Sequence, residues 1–219
     1  MKYTIFFMLL STGLGRQIYT TSGAVGFILL WPFVSSCTMT LCYMFNQPQW
    51  LLAKNSCGDI HLLPLLLNLP WLLLTWGVFF LQVKFSREPF CHRIGQTDIW
   101  ISRRPGWDQR QLDFEQVIDL TAEFPRDRVS PLKYRCFANL DGAVLSNCDF
   151  SSIDLSLKTL IHCANGHGRA STFAALLLVD RGFCDNVEDA LQLIRQSRPL
   201  AGPNSAQRKW LFKKERQSE

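Results

Sequence analysis

Two long uncharged apolar runs occupy most of the first part of the chain. No charged residue occurs between Arg16 and Lys54, and the core of that span is residues 22–45. A second uncharged run covers residues 62–83. About 20 consecutive apolar residues suffice to cross a bilayer, and tryptophans of the kind enriched at membrane interfaces lie in or near both runs. The pattern predicts a membrane region over residues 1–83 with two transmembrane helices, at about 22–45 and 62–83. The alternative for each run is a buried core helix.

Basic residues flank these runs unevenly. Lys2 and Arg16 precede the first run, whereas the connecting loop, residues 46–61, holds only Lys54, which Asp59 balances. Five basic residues follow the second run: Lys84, Arg87, Arg93, Arg103 and Arg104. The positive-inside rule therefore predicts that both termini are cytoplasmic and that the connecting loop lies on the opposite side. As an alternative, the start MKYTIFFMLLSTGLG is similar to a signal peptide, although no A-x-A-like cleavage site follows it. If that start were cleaved or crossed the membrane itself, the soluble part would lie outside.

The pattern changes to alternating strands and helices from residue 84 onward. Asp185 is a candidate N-cap with Glu188 three residues later, and Pro199 ends the helix that follows. The order of elements predicts an α/β domain over residues 84–219, with a central sheet flanked by helices. The predicted strands are 97–104, 116–122, 134–140 and 158–164, and the predicted helices are 169–180 and 187–196.

Composition argues against several classes of function. The region from residue 84 onward holds 20 basic and 17 acidic residues. This excess is too mild to indicate nucleic-acid binding, and basic residues do not alternate with aromatic ones. The eight cysteines show no C-x-x-C spacing, so the sequence predicts neither a disulfide framework nor a zinc site. His162, Cys163 and His167 have no second Cys/His pair at ligand spacing, and we expect no metal and no cofactor.

One segment, LKTLIHCANGHGRASTFAALLLVD at residues 157–180, combines the residue types of an anion site. Cys163 follows a predicted strand, and Arg169 opens a predicted helix six positions later. Backbone amides that converge at a helix N-terminus favour negative charge, and the same field favours the thiolate form of a cysteine. Gly166 and Gly168 let the backbone turn tightly. The planar guanidinium of Arg169 suits two oxygens of one phosphate, so the segment predicts a phosphate site with a nucleophile at its base.

The string HCANGHGR resembles the H-C-x-x-G-x-G-R signature of the cysteine-dependent protein tyrosine and dual-specificity phosphatases. The resemblance extends over most of residues 95–212, with VIDLTAEFP and NLDG before the site and VEDALQLIRQSRP after it. It implies the fold of that family, Cys163 as nucleophile, Arg169 as phosphate ligand and Asp141 as general acid and base. It also implies that His162 tunes the thiolate. The implied phosphate-binding residues are Ala164, Asn165, Gly166, His167, Gly168 and Arg169.

Two departures from the family pattern affect the expected activity. Family members usually have Ser or Thr directly after the arginine, whereas this chain has Ala170, with Ser171 one position later. We therefore expect slow breakdown of the phosphocysteine. Asp141 lies only 22 residues before Cys163, a shorter gap than in the family, which displaces the acid loop. Asp149 and Asp154 are alternative acids, but their sequence positions favour capping roles. Asp119 and Glu123 are expected at a strand end and in a turn.

These observations predict a membrane-anchored, bacterial-type phosphatase whose catalytic domain faces the cytoplasm from an inner membrane. Its substrate is a phosphorylated protein or a phospholipid, and the loop contains no lysine that would favour a highly phosphorylated inositol lipid. One alternative is a catalytically weakened relative that binds a phosphorylated ligand. A sulfurtransferase-like use of the cysteine is a third hypothesis. The sequence makes no prediction of oligomeric state.

Overall fold

The computed structural model describes residues 2–21, 23–106, 113–126, 133–146 and 148–217. Four helices come first: α1 (Lys2–Thr20), α2 (Ala24–Phe45), α3 (Gln49–Leu52) and α4 (Leu62–Phe85). The strands are β1 (Cys91–Arg93), β2 (Ile99–Ser102), β3 (Gln116–Thr121), β4 (Lys133–Asn139) and β5 (Thr159–His162). Three helices complete the described part of the chain: α5 (Gly168–Asp180), α6 (Val187–Ser197) and α7 (Ser205–Glu215).

The strands form one five-stranded sheet in the order β1-β2-β5-β3-β4. β1 pairs antiparallel with β2 and every other pair is parallel, which brings the carboxyl ends of β3, β4 and β5 to one edge. Apolar side chains of the sheet and of α5, α6 and α7 share one core. The predicted α/β class and all four predicted strands are confirmed. β1 was not predicted, because three residues are too few to show a period.

The start of α6 lies one residue later than its predicted cap. The side chain of Asn186, not of Asp185, accepts a hydrogen bond from the amide of Asp189 at 2.9 Å. Glu188 instead pairs with Arg208 of α7. α7, which follows the two predicted helices, begins with a complete capping box formed by Asn204 and Gln207.

α1 and α2 form an antiparallel hairpin. The Tyr3 and Tyr43 rings stack with centroids 5.0 Å apart, and Gly15 lies against the Phe33 ring farther along the pair. Both α2 and α4 are long and apolar enough to cross a membrane by length and composition. The segment considered as a signal peptide is thus a helix packed on α2.

The first half of α4 packs on α2 and the connecting loop, and one face of its second half lies on the sheet domain. Asn68 Nδ2 donates to the carbonyl of Leu51, and Leu72 is buried in a cluster that includes Ala122 and Leu140. Three further contacts reach the domain itself: Trp76 Nε1 with the Glu123 carbonyl (2.9 Å), the Phe79 ring with that of Phe124 (centroids 4.9 Å apart), and Gln82 with Asn165 (3.0 Å). Because these positions recur every three or four residues, they lie on one side of the helix.

The connecting loop, residues 46–61, packs on the same domain. Lys54 Nζ pairs with Asp119 Oδ2 of β3 at 2.5 Å, and both side chains are buried. The amide of Cys136 in β4 donates to the carbonyl of Ser56 at 2.8 Å. Such contacts cannot form across a bilayer. The prediction that this loop lies on the opposite side of the membrane from the sheet domain is therefore wrong for this structure.

The ion pair between Lys54 and Asp119 gives a test of how firmly the loop is attached. Lys54→Met leaves the buried carboxylate without its cation, so the free energy of unfolding should fall by about 3–5 kcal/mol. Lys133→Met is the matched control, because Lys133 pairs with Asp154 at the partly exposed surface and such pairs contribute about 1 kcal/mol or less. Urea unfolding of the full chain in mild detergent measures both, and equal losses would contradict a buried, loop-anchoring pair.

The same pair sets the sign of a pH dependence. Burial by itself raises the pKa of Asp119, but Lys54, His162 and a hydrogen bond from Tyr134 outweigh burial and hold the pKa well below its usual value. Its contribution to stability is therefore complete above the unfolded pKa of about 4 and is lost as pH falls through the lower folded value. The stability difference between wild type and Lys54→Met should shrink in that acid range.

Candidate active site

Cys163 directly follows β5, and the loop after it leads into α5. Its side chain is 3 % exposed. Gly166 adopts a φ of +73°, and a side chain there would collide with the carbonyl of Ser102 at the end of β2. A residue with a Cβ would therefore displace the loop from the sheet. The carbonyl of Ala164 accepts from the amide of Arg104 at 2.8 Å, which fixes the first turn of the loop.

A second arginine, Arg198, supports this loop from outside. Its buried guanidinium donates to the Asn165 carbonyl at 3.1 Å and to Glu88 Oε2 at 2.6 Å. Glu88 also lies 2.8 Å from Nε2 of His167. Burial lowers the pKa of Arg198, although Glu88 partly offsets that effect. Sequence reasoning missed Glu88 and Arg198, because their pairing joins residues that are far apart in the chain.

The guanidinium of Arg169 is buried and held by carboxylates. It forms a two-point ion pair with Glu123 at 2.8 and 2.6 Å, donates to the Asn139 carbonyl at 2.8 Å, and lies 3.0 Å from Asp141 Oδ1. Burial alone would lower the pKa of Arg169, but Glu123 and Asp141 raise it well above its usual value. Glu123 is thus more than the turn residue that the sequence suggested. A buried cation requires a counter-charge, and Glu123 supplies it.

Asp141 lies on the loop that follows β4, with its side chain 58 % exposed. Two side chains at the start of α7 hold this loop. Asn204 donates to the Gly142 carbonyl at 2.9 Å, and Gln207 donates to the Ala143 carbonyl at 2.8 Å. Despite the short gap to Cys163, Asp141 therefore reaches Arg169. Neither contact with α7 could be predicted from the sequence, because each joins residues more than 60 positions apart.

Asp149 and Asp154 take turn positions, in line with the capping roles expected for them. Asp149 accepts from the amide and hydroxyl of Ser151, and these hydrogen bonds lower its pKa. Asp154 accepts from Ser156 and pairs with Lys133 at 2.7 Å, and those contacts lower its pKa to about 2. Their carboxylates are engaged in these turns.

His162 and Ser171 both lie next to the proposed catalytic groups. The ring of His162 is fully buried, with Nδ1 3.4 Å from the Cys163 carbonyl and 3.9 Å from Asp119 Oδ1. Ser171 donates its hydroxyl to the Gly168 carbonyl at 2.9 Å, so its proton is used inside α5. Ala170 is fully buried in the core. The structure therefore offers no hydroxyl at the position directly after Arg169.

Apolar helices surround the groups that meet at Arg169. Trp76 and Phe79 of α4 contact Glu123 and its neighbour. Tyr3 of α1 lies against Gly142, where an added Cβ would be 2.5 Å from the Tyr3 ring. Among the residues that the structure describes, no group of three or more His, Cys, Asp or Glu side chains is arranged to hold a metal ion.

A cleft of 360 Å³ adjoins the loop after Cys163. One wall consists of Asn165 and His167 from the loop. The opposite wall is the carboxyl end of α4 and the residues after it. The remaining lining residues are Gln82, Val83, Phe85, Ser86, Glu88 and Arg103.

Comparison with known proteins agrees with the geometry. Residues 138–212 match the family model described as a Swiss Army Knife protein, DSP-PTPase phosphatase domain. A comparison with curated proteins finds no match.

Several solved structures are similar to the chain. A mouse putative dual specificity phosphatase complexed with zinc tungstate is 15% identical, with a TM-score of 0.47 over 60% of this chain and 91% of that one. Tk-PTP is 21% identical, with a TM-score of 0.49 over 59% and 97%. PTPMT1 in complex with PI(5)P is 17% identical, with a TM-score of 0.48 over 59% and 96%. Residues 138–212, which hold the HCANGHGR signature and the strand-loop-helix that carries it, thus match the phosphatase domain family that the sequence resemblance predicted, that of the cysteine-dependent tyrosine and dual-specificity phosphatases.

Proposed function

We propose that this protein is a membrane-anchored phosphatase that hydrolyses phosphate monoesters through a cysteinyl-phosphate intermediate on Cys163. The observation that carries the proposal is the convergence of three elements on one point. Cys163 and Arg169 lie at the two ends of the loop between β5 and α5, and Asp141 reaches Arg169 from the loop after β4. The catalytic domain comprises residues 84–219.

The reaction has two balanced steps. First, the Cys163 thiolate attacks phosphorus, the bond from phosphorus to the ester oxygen breaks, and Asp141 donates a proton to the leaving oxygen. Second, the Asp141 carboxylate takes a proton from water, the water oxygen attacks phosphorus, and the sulfur-phosphorus bond breaks to release inorganic phosphate. Arg169 and the amides of residues 164–169 stabilise the charge that develops on the phosphoryl oxygens in both steps.

Glu123 acts as a positioning residue in this scheme. Its two-point ion pair fixes the plane of the Arg169 guanidinium before substrate arrives. Fixing that plane in advance lowers the entropy cost of binding two phosphoryl oxygens. Asp141 contacts Nη2 of the same guanidinium from the exposed side, and Nε has no hydrogen-bond partner among the described residues. Binding of two phosphoryl oxygens through Nε and Nη2 therefore requires Asp141 to leave Nη2, which frees it to approach the leaving oxygen.

Two features of the start of α5 favour a second function. Ala170 supplies no hydroxyl to help the thiolate leave, and the Ser171 hydroxyl is engaged with Gly168. Both features favour slow breakdown of the intermediate. In the limit, the protein would bind a phosphorylated ligand or turn over once rather than act as an efficient enzyme.

The membrane arrangement also needs revision from the two-span prediction. We propose that the α1–α2 hairpin is the anchor, since α2 with 22 residues is about 33 Å long. The hairpin places Lys2, Lys54 and Lys84 on the side of the catalytic domain and only Arg16 near the far turn. The positive-inside rule then still assigns the catalytic domain to the cytoplasmic face.

Replacing the nucleophile gives the first test. Cys163→Ser should abolish release of p-nitrophenol from p-nitrophenyl phosphate, because serine is not deprotonated at this position, while phosphate binding persists. Cys184→Ser, a partly buried cysteine beyond α5, serves as the matched control. Steady turnover by wild type supports the enzyme. A single stoichiometric burst, or binding without turnover, supports the weakened alternative, and turnover retained in Cys163→Ser would disprove the nucleophile assignment.

Leaving-group dependence tests the proposed acid. Asp141→Asn should slow hydrolysis of an alkyl phosphate by roughly 100-fold or more, because a poor leaving group needs a proton, and should slow p-nitrophenyl phosphate much less. Asp149→Asn is the control, since Asp149 lies in a turn with Ser151. Equal loss on both esters would show that Asp141 is not the proton donor.

A further inference from the structure

The structure assigns the cleft between the carboxyl end of α4 and the phosphate loop as the site for the headgroup of a membrane lipid that carries a terminal phosphate monoester. This inference rests on the proposed phosphatase function and adds its substrate class. In this arrangement the phosphate lies on the loop from Cys163 to Arg169. The polar headgroup fills the cleft, and the acyl chains extend over the outer face of α4.

α4 has one covered side and one exposed apolar side. Asn68 contacts the connecting loop, and Trp76, Phe79 and Gln82 contact the catalytic domain, all from one side of the helix. At 100° per residue the opposite side of the second half of α4 is apolar and exposed. It consists of Leu73, Leu74, Val78, Phe80, Leu81 and Phe85. The first half of α4 packs on α2, where Trp31 Nε1 donates to the Leu66 carbonyl at 2.9 Å. The second half, from Leu72 onward, lies on the domain, so this half extends along the membrane surface.

The exposed apolar surface continues beyond α4 onto α1 and α2. Exposed large apolar side chains on α1 and α2 include Phe6, Leu9, Phe27, Ile28 and Trp31. Exposed apolar surface this extensive marks contact with a membrane or a partner. The length of the hairpin and the basic residues near its domain end favour the membrane. The bilayer then begins at the outer face of α4.

The residues that line the cleft differ in polarity. Val83 and Phe85 are the apolar residues of its lining, and Asn165 and His167 of the phosphate loop are polar. Arg103, held by a hydrogen bond to the Glu88 carbonyl at 3.0 Å, adds a cation. Apolar and polar side chains therefore line the same small cleft. This combination matches the junction between acyl chains and an anionic headgroup.

A phosphorylated peptide fits this cleft less well. Where a peptide backbone passed Val83 and Phe85, its polar groups would lack hydrogen-bond partners, whereas acyl chains need none. The volume of 360 Å³ lies at the small end of ligand sites and suits a headgroup. We therefore assign the lipid ester rather than the peptide.

The test uses the full chain reconstituted in phosphatidylcholine vesicles that contain dioleoyl phosphatidic acid. Phosphate release is compared with release from glycerol 3-phosphate, a phosphotyrosine peptide and p-nitrophenyl phosphate, all in solution. We expect kcat/KM for the lipid to exceed that for glycerol 3-phosphate and the peptide by roughly tenfold or more, through apolar contacts that the soluble esters lack. A peptide preferred over the lipid, or equal rates on lipid and glycerol 3-phosphate, would overturn the assignment while the phosphatase function stands.

A matched pair of variants locates the effect. Phe85→Glu places a charge where the acyl chains would pass and should lower the ratio of lipid to p-nitrophenyl phosphate hydrolysis by roughly tenfold. Phe183→Glu makes the same change at an exposed phenylalanine between α5 and α6 and should leave that ratio unaltered. An unchanged ratio in Phe85→Glu would overturn the assignment of the cleft.

A protein that turns over no ester would contradict the proposed function, yet the cleft can still be tested. Iodoacetate alkylation of Cys163 is then followed with and without vesicles that contain phosphatidic acid. Protection by the lipid and not by glycerol 3-phosphate at equal concentration supports the headgroup site. Absence of protection by the lipid overturns it.

Discussion

The buried positive charge of Arg169 is the constraint on which the architecture of the site depends. A guanidinium withdrawn from water must be neutralised nearby, and two carboxylates do so here. Glu123 comes from the loop after β3, and Asp141 comes from the loop after β4. Because the parallel strands end at one edge of the sheet, both loops reach the same arginine. The charge of Arg169 therefore accounts for the positions of both carboxylates.

The N-terminal helices rest on those two loops. α4 contacts the first through Trp76 and Phe79, and α1 contacts the second through Tyr3 against Gly142. The connecting loop adds the buried pair of Lys54 with Asp119. The apolar helices therefore surround the proposed catalytic groups and do not form an anchor separate from the domain. This proximity is the physical basis for proposing a substrate that comes from the bilayer.

Local sequence predicts how the central residues of the candidate site are arranged. Cys163, Gly166 and Arg169 lie within one strand-loop-helix unit, so their spacing alone predicts their arrangement. Asp141 was a candidate only through the resemblance to the phosphatase family, and in the structure it lies beside Arg169. Glu123 could not be predicted as a partner of Arg169, because their contact joins residues 46 positions apart.

Hydropathy could not predict the path of α4 either. An apolar helix has the same composition whether lipid surrounds it or a protein domain covers one face. The position of residues 46–61 depended on the partner of Lys54, which lies 65 residues away in the chain. A charge count over assumed spans therefore placed that loop on the wrong side.

The depth of α4 in the membrane tests the central claim most directly. Single spin labels at positions 74, 81 and 85 of the full chain in vesicles all lie on the outer face of the half of α4 that packs on the catalytic domain. If this half lies along the bilayer surface with that face in lipid, oxygen accessibility should report similar shallow depths for the three labels. A depth that changes by about 10 Å from position 74 to position 81, the rise of seven helical residues, would mean that this half of α4 spans the membrane and would contradict the account.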